Sequence, residues 1–382
     1  MTVGEFSFKI MEYFGVWRPI SWQSIWAIRL YNLYNFFMLA FLYFFTLTFF
    51  ISLFENKHNK EVFMENSFYF STLLVLCFKI TYVRFKREEI IALTNMFLQG
   101  KCIPRNQDEF IIQQNILAEE RSNTRSFMTF CLITCTVYTV LPLTKRRNIS
   151  LPFKSWSPYK IDSTFTFWMT YFFQFVSACI FGVLFAAIEI LAPIIMEQIC
   201  TQLEFIICRL YQLPKLKDTF NLNHDISRKE SAIVNNCVEH HIFIFSIEKE
   251  MNKLFGFMVA VQFFVSTANL CTGCFNLTTM KPTSTQFWSV IFTINSYLVQ
   301  IFLYCLYGEK VIQKSVSVTD RIYSMDWNSL SKNCKQQLII IMMRSRKPIN
   351  LTGASLITMS VETLLKILKT SYSVFNLIRN TN

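Results

Sequence analysis

Glycine and proline are scarce in this chain, at 8 and 9 of 382 residues. That shortage excludes a collagen-like repeat and a disordered low-complexity chain, and it disfavours a turn-rich β-protein. Charged residues are also few, at 16%, against about 25% in soluble domains. No block of five or six like charges occurs. No basic stripe is interleaved with aromatics on a polar face, so nucleic acid is excluded as a partner despite a net charge of +12. Enzyme signatures are missing as well: there is no GxSxG, HExxH, P-loop or GxGxxG. No catalytic residue, cofactor or metal is expected. The first 30 residues hold Glu5, Lys9, Glu12, Arg18 and Arg29 and no apolar core of a signal peptide. The first apolar segment is therefore expected to act as its own membrane signal.

Apolar and aromatic residues make up the balance. The chain is 52% hydrophobic and carries 41 Phe. A helix needs about 20 mostly apolar residues to cross a bilayer. Seven segments qualify: about 33–53, 66–84, 127–144, 165–193, 254–276, 286–308 and 350–377. The sequence thus predicts one all-α membrane domain with seven transmembrane helices. Stretches 86–126, 194–253 and 309–346 keep apolar residues at helical spacing, which predicts helices continuing beyond the membrane. Seven of the 12 cysteines (Cys77, Cys131, Cys135, Cys179, Cys271, Cys274 and Cys305) lie in apolar runs and read as small fillers. The single CxxC, Cys271 and Cys274, has no companion pair. His240 and His241 read as one solvated helix face.

Basic residues set the orientation. Of the 37 Lys and Arg, 25 fall in the N-terminal stretch and the segments after spans 2, 4 and 6, and 9 fall in the alternate set. Lys79, Lys366 and Lys369 lie within spans. The basic-rich side is cytoplasmic, so the N-terminus is expected inside and the C-terminus outside. Sequons at Asn148 and Asn276 fall on the outer side and are candidate glycosylation sites, while Asn350 falls inside. This topology is opposite to that of G-protein-coupled receptors.

The seventh span is the least apolar. Thr358, Glu362, Lys366, Lys369, Ser373 and Asn376 recur at spacings of three and four, one face of a helix. A charge at the centre of a lipid-facing helix costs roughly 2.5–3.5 kcal/mol, so this face should meet protein or water. One reading is a water-filled path shared by several copies around an axis. The other is a Glu362–Lys366 pair at a helix interface, with Lys369 snorkelling. Leu377 and Ile378, at the outer end, suit an apolar constriction. The outer halves of spans 2, 3, 4 and 6 are rich in Phe, Tyr and Trp. These are belt residues or the walls of an apolar cavity for small hydrophobic ligands.

The last fifth of the chain resembles the insect odorant-receptor family. The resemblance rests on Tyr304, Tyr307, Gly308 and Glu309, then Ser315 and Trp327, then the run from Met343 to Pro348, then Leu351, Thr352, Gly353 and Ser360. It ends on Ser371, Tyr372, Ser373, Val374, Phe375, Asn376, Leu377, Ile378 and Arg379. Weaker matches are Gly15 to Pro19 and Tyr171 to Gln174. Val374 and Asn376 depart from the family's usual Tyr and Thr. The ending does not resemble that of the co-receptor Orco, which implies a ligand-tuning subunit. The resemblance implies an odorant-gated, non-selective cation channel assembled with Orco as a tetramer in the plasma membrane of olfactory sensory neurons. It implies a cytosolic anchor containing Trp327 and Pro348, and a pore lined by the last helix with Lys369, Ser373, Asn376 and the gate Leu377. It also implies a volatile-ligand pocket, for which Tyr69, Leu73, Tyr138, Tyr171 and Phe175 are the candidates. A secondary transporter or a metabotropic chemoreceptor is the alternative.

Overall fold

The computed structural model describes residues 3–381 apart from 20, 23, 145–149, 217–222, 280–284 and 355. Its helices are α1 (Glu5–Tyr13), α2 (Ile25–Glu55), α3 (Lys60–Phe85), α4 (Arg87–Met96), α5 (Gln107–Val140), α6 (Thr164–Glu189), α7 (Leu191–Leu210), α8 (Asn223–Thr279), α9 (Thr285–Ser324), α10 (Lys332–Ser345) and α11 (Val361–Thr381). A two-stranded antiparallel hairpin, β1 (Thr352–Gly353) and β2 (Ile357–Thr358), precedes α11.

The protein is a helical membrane-spanning bundle. Five helical stretches among the described residues are long and apolar enough to cross a membrane: Ile25–Glu55, Val62–Phe85, Thr164–Leu210, Ile226–Thr278 and Val290–Ser324. α5 and α11 occupy the remaining two predicted spans but are more polar. The first half of α5 is polar, and α11 carries Glu362, Lys366 and Lys369. α8, with 57 residues, is about 85 Å long at 1.5 Å per residue, far more than a bilayer needs. It therefore carries the bundle well past the apolar layer.

Helix starts follow local chemistry. Ser163 and Thr166 form a reciprocal capping box at the start of α6, satisfying donors the helix cannot. The Ser360 hydroxyl accepts from Thr363 N–H at 3.3 Å and caps α11. The predicted seventh span thus begins too early: residues 350–360 are not its first turns. Leu351 and Met359 are buried because the hairpin, not a helix, inserts them. Ala354 turns the hairpin at φ 50.

α6–α7 and α9 form the spine. Glu189 meets Tyr304, Glu197 meets Lys310 and Glu204 meets Lys314. The three contacts step down both helices in the same order, so the two run parallel. α8 packs on α7, α9 and α11, and α5 packs along α6. Gly308 admits the hairpin against α9: a Cβ there would stand 2.1 Å from the Met359 carbonyl oxygen.

Candidate functional site: an apolar cavity between the helices

Five helices and one irregular segment line a cavity of about 180 Å³. A dry cavity of about 150 Å³ is enough to hold benzene. α2 contributes Phe45 and Phe49; α3 contributes Tyr69, Thr72, Leu73 and Leu76. α5 adds Cys131, Thr134, Cys135 and Tyr138, and α6 adds Ala178, Phe181, Gly182 and Phe185. Thr293, Ser296 and Tyr297 come from α9, and Phe153 from the segment before α6. Gly182 sets the closeness of α5 and α6, because a Cβ there would lie 2.6 Å from the Cys135 sulfur. Small residues at such crossings let helices approach in lipid.

Among the described residues, no charged side chain lines this cavity. Its polar groups are hydroxyls and thiols. On one wall the Tyr69 and Tyr138 rings stand edge to face, centroids 5.4 Å apart, with Glu65 in the electrostatic surroundings of both. Glu65 in turn pairs with Lys154 at 3.1 Å. On the other wall Asn269 donates to the Tyr297 hydroxyl at 2.9 Å and accepts from Ser71 at 2.9 Å, and Thr72 bonds to Tyr297. Hydroxyls both donate and accept, so the wall can serve either kind of polar ligand atom.

Of the five pocket candidates, Tyr69, Leu73 and Tyr138 line the cavity. Tyr171 does not: its hydroxyl donates to the Thr139 carbonyl at 3.1 Å. Phe175 is half-buried outside the wall. Gln174, buried at 1%, takes the inward position on that turn and holds Phe153. Sequence reasoning misses Phe45, Phe49 and Phe153. The first two sit in a helix apolar on every side, which gives no facing signal, and Phe153 sits outside any helix.

Beneath the cavity lies a polar layer. Lys79 donates to Glu189 at 2.5 Å, with side chains 0% and 2% exposed, and Tyr304 donates to the other carboxylate oxygen at 2.9 Å. Farther along, Arg209 pairs with Glu109 at 2.8 Å and donates to His240 Nδ1 at 3.1 Å. A guanidinium only donates, so Nδ1 accepts and the ring is neutral, leaving Nε2–H for Gln202 at 3.0 Å. Burial, then the Arg209 charge, pushes His240 down to about 3. Burial and Arg344 push His241 down to about 4. The solvated-face reading of this pair is thus wrong: they are 0% and 5% exposed. Partners distant in sequence take them inside. No group of three or more metal-ligating side chains exists among the described residues.

α11 lies at the edge of the bundle. Glu362 and Lys366 pair at 2.6 Å with side chains 74% and 70% exposed. Lys369 and Ser373 are exposed, Asn376 is half-buried, and Leu377 is 67% exposed. Thr358, by contrast, lies in β2 and not on this helix. Trp327 is half-buried against the core in a short 3-10 turn, and Pro348 is exposed just after α10. Asn276 is 3% exposed inside the last turns of α8, a buried helical position that gives a glycan no access in this conformation. Asn148 lies outside the described residues.

A bundle of long apolar helices around a small cavity defines a polytopic membrane protein. The family model described as 7tm Odorant receptor matches residues 59–372. Odorant receptor 67c of Drosophila melanogaster is 26% identical over 230 residues, 60% of this chain and 55% of that protein. Odorant receptor 85b of the same fly is 24% identical over 360 residues, 86% of this chain and 87% of that one. The chain thus spans about half the length of some relatives and most of others. The insect olfactory receptor OR5 from Machilis hrabei, solved in complex with eugenol, has the same fold. Its TM-score is 0.83 at 15% identity, covering 99% of this chain and 98% of that one. This chain belongs to the insect odorant receptor family, and it is not an enzyme.

Proposed function

We propose that this chain detects small neutral volatiles as the odorant-binding subunit of a ligand-gated, non-selective cation channel. It assembles with the co-receptor Orco as a tetramer in the plasma membrane of olfactory sensory neurons. Its N-terminus is cytosolic, its C-terminus extracellular, and seven helices cross the lipid. The observation that carries the reading is the apolar, hydroxyl-bearing cavity of about 180 Å³. A charged ligand would lose its hydration there without a counter-charge, whereas an alcohol, ketone or ester would bury its carbon and find one hydrogen bond. Tyr69, Leu73 and Tyr138 are the predicted residues best placed to touch it. The relative solved in complex with eugenol is consistent with such a ligand.

The channel part rests on α11. A helix carrying exposed Glu362, Lys366, Lys369 and Ser373 is too polar to face lipid. Symmetry-related helices around a water-filled axis would give that face a place, with Leu377 at the outer constriction and Trp327 and Pro348 in the cytosolic anchor. Co-expression with Orco is expected to give inward current on exposure to a panel of neutral volatiles. A chain that reaches the surface with Orco and stays silent across the panel would overturn the proposal. So would an epitope showing a cytosolic C-terminus.

A further inference from the structure

Residues 150–158 do not loop away from the bundle. They fold back across the end of the cavity and press Phe153 into it. Phe153 is 8% exposed. Its ring stacks on Tyr138 at 5.0 Å and 30° and meets Phe49 and Tyr69 at 5.5 Å each. One side chain grips its peptide group from both sides. Phe153 N–H donates to Gln174 Oε1 at 3.1 Å, and Gln174 Nε2 donates to the Phe153 carbonyl at 3.1 Å. The next carbonyl, of Lys154, accepts from Ser52 at 2.9 Å and Asn66 at 3.0 Å. Trp156 N–H donates to the Thr48 carbonyl at 3.2 Å.

Every other wall residue rides on a helix locked into the bundle. Among the described wall residues, Phe153 alone rides on a segment with no helix or strand. Its fastenings to α2, α3 and α6 are a few hydrogen bonds and the half-exposed Lys154–Glu65 ion pair, each of small net worth. It is therefore the part of the wall that moves at least cost. Its outward swing would remove one aromatic ring from the cavity and open the space behind it. Gln174 can hold the segment shut whatever occupies the cavity, because its amide bonds to the Phe153 backbone and not to the space inside.

We propose that Phe153 is a ligand-contacting lid residue that sets the largest odorant admitted, and that Gln174 is the positioning residue that latches it. This rests on the cavity being the odorant site. The contrasting pair Phe153→Ala and Phe153→Trp tests it, each co-expressed with Orco and probed with straight-chain alcohols from butanol to decanol and their acetates. Phe153→Ala is expected to move the potency optimum to longer chains, with a gain of roughly fourfold for each methylene that enters the freed space. Phe153→Trp is expected to move the optimum to shorter chains. Gln174→Leu is expected to speed onset and washout while broadening the size preference, a kinetic change that a merely structural role would not give. Surface labelling separates misfolding from altered response, and if one Phe153 variant stays inside the cell the other decides. Variants at the surface that keep the wild-type rank order of chain lengths would overturn the lid. A surface-exposed wild-type chain silent to the whole series would instead overturn the odorant-site reading beneath it.

Discussion

Glu189 and Lys79 form a 2.5 Å ion pair across α3 and α6 with essentially no solvent exposure. Tyr304 of α9 completes the carboxylate shell at 2.9 Å. Breaking a buried pair on one side typically costs 3–5 kcal/mol, whereas replacing both partners by apolar groups can be neutral. Glu189→Leu alone is therefore expected to cost about 3–5 kcal/mol and to deplete the folded chain. The double change Lys79→Met with Glu189→Leu is expected to recover most of that loss. Thermal unfolding of the detergent-solubilised protein reads both. Equal losses in the single and double variants would show that the pair's charges are not what holds these three helices.

The neutral His240 ties stability to pH. Its ordinary value is 6.5 and its folded value is about 3, so the unfolded chain takes up a proton that the folded chain refuses. Its contribution is fully present above about pH 6.5 and is lost as pH falls toward 3. His241, pushed down to about 4, acts with the same sign. Each histidine costs about 1.4 kcal/mol per pH unit inside its window. The melting temperature is expected to fall from pH 6 to pH 4, and His240→Gln, which keeps a donor and an acceptor, is expected to flatten the fall. The same slope in wild type and variant would place the pH dependence elsewhere.

These cases show which features a sequence carries locally. The apolar segments declare themselves because lipid demands long uncharged helices, and the wall positions Tyr69, Leu73 and Tyr138 lie on two of them. His240 gives no local sign of burial, since its partners Arg209 and Gln202 come from another helix. Phe153 is equally silent, because the side chain that seats it, Gln174, belongs to the next helix. The start of α11 misleads for a different reason. Leu351, Ile357 and Met359 form an apolar run that reads as a helix, yet they pack as a hairpin between α8 and α9. Gly256 and Gly308 make the room: a Cβ at Gly256 would lie 2.9 Å from the Thr352 carbonyl oxygen.

That close approach is testable. A Cβ at Gly308 would stand 2.1 Å from a backbone oxygen and 2.6 Å from the Met359 Cβ, and neither atom is the far end of a flexible side chain. Overpacking usually costs 1–3 kcal/mol, so Gly308→Ala is expected to lose at least about that much and to lower surface expression. At Gly100 a Cβ meets nothing within 4 Å, so Gly100→Ala is expected to stay within about 0.5 kcal/mol of wild type. Similar melting temperatures for the two variants would mean that α9 and the hairpin do not pack as described.

The last prediction concerns the C-terminal end of α11. Leu377 is 67% exposed in the single chain, on the helix that carries the exposed Glu362–Lys366 pair. A ring of leucines around an axis would close a pore by excluding water from a narrow apolar neck. Leu377→Ala shortens each such side chain, widens the neck and lowers the barrier to wetting. Co-expressed with Orco, the variant is expected to pass more current without odorant and to shift the reversal potential when sodium is exchanged for a larger cation. The same substitution leaves the cavity wall untouched, so the odorant rank order is expected to hold. Whole-cell recordings at matched surface levels measure all three. Unchanged resting current together with unchanged relative permeability would remove Leu377 from the gate.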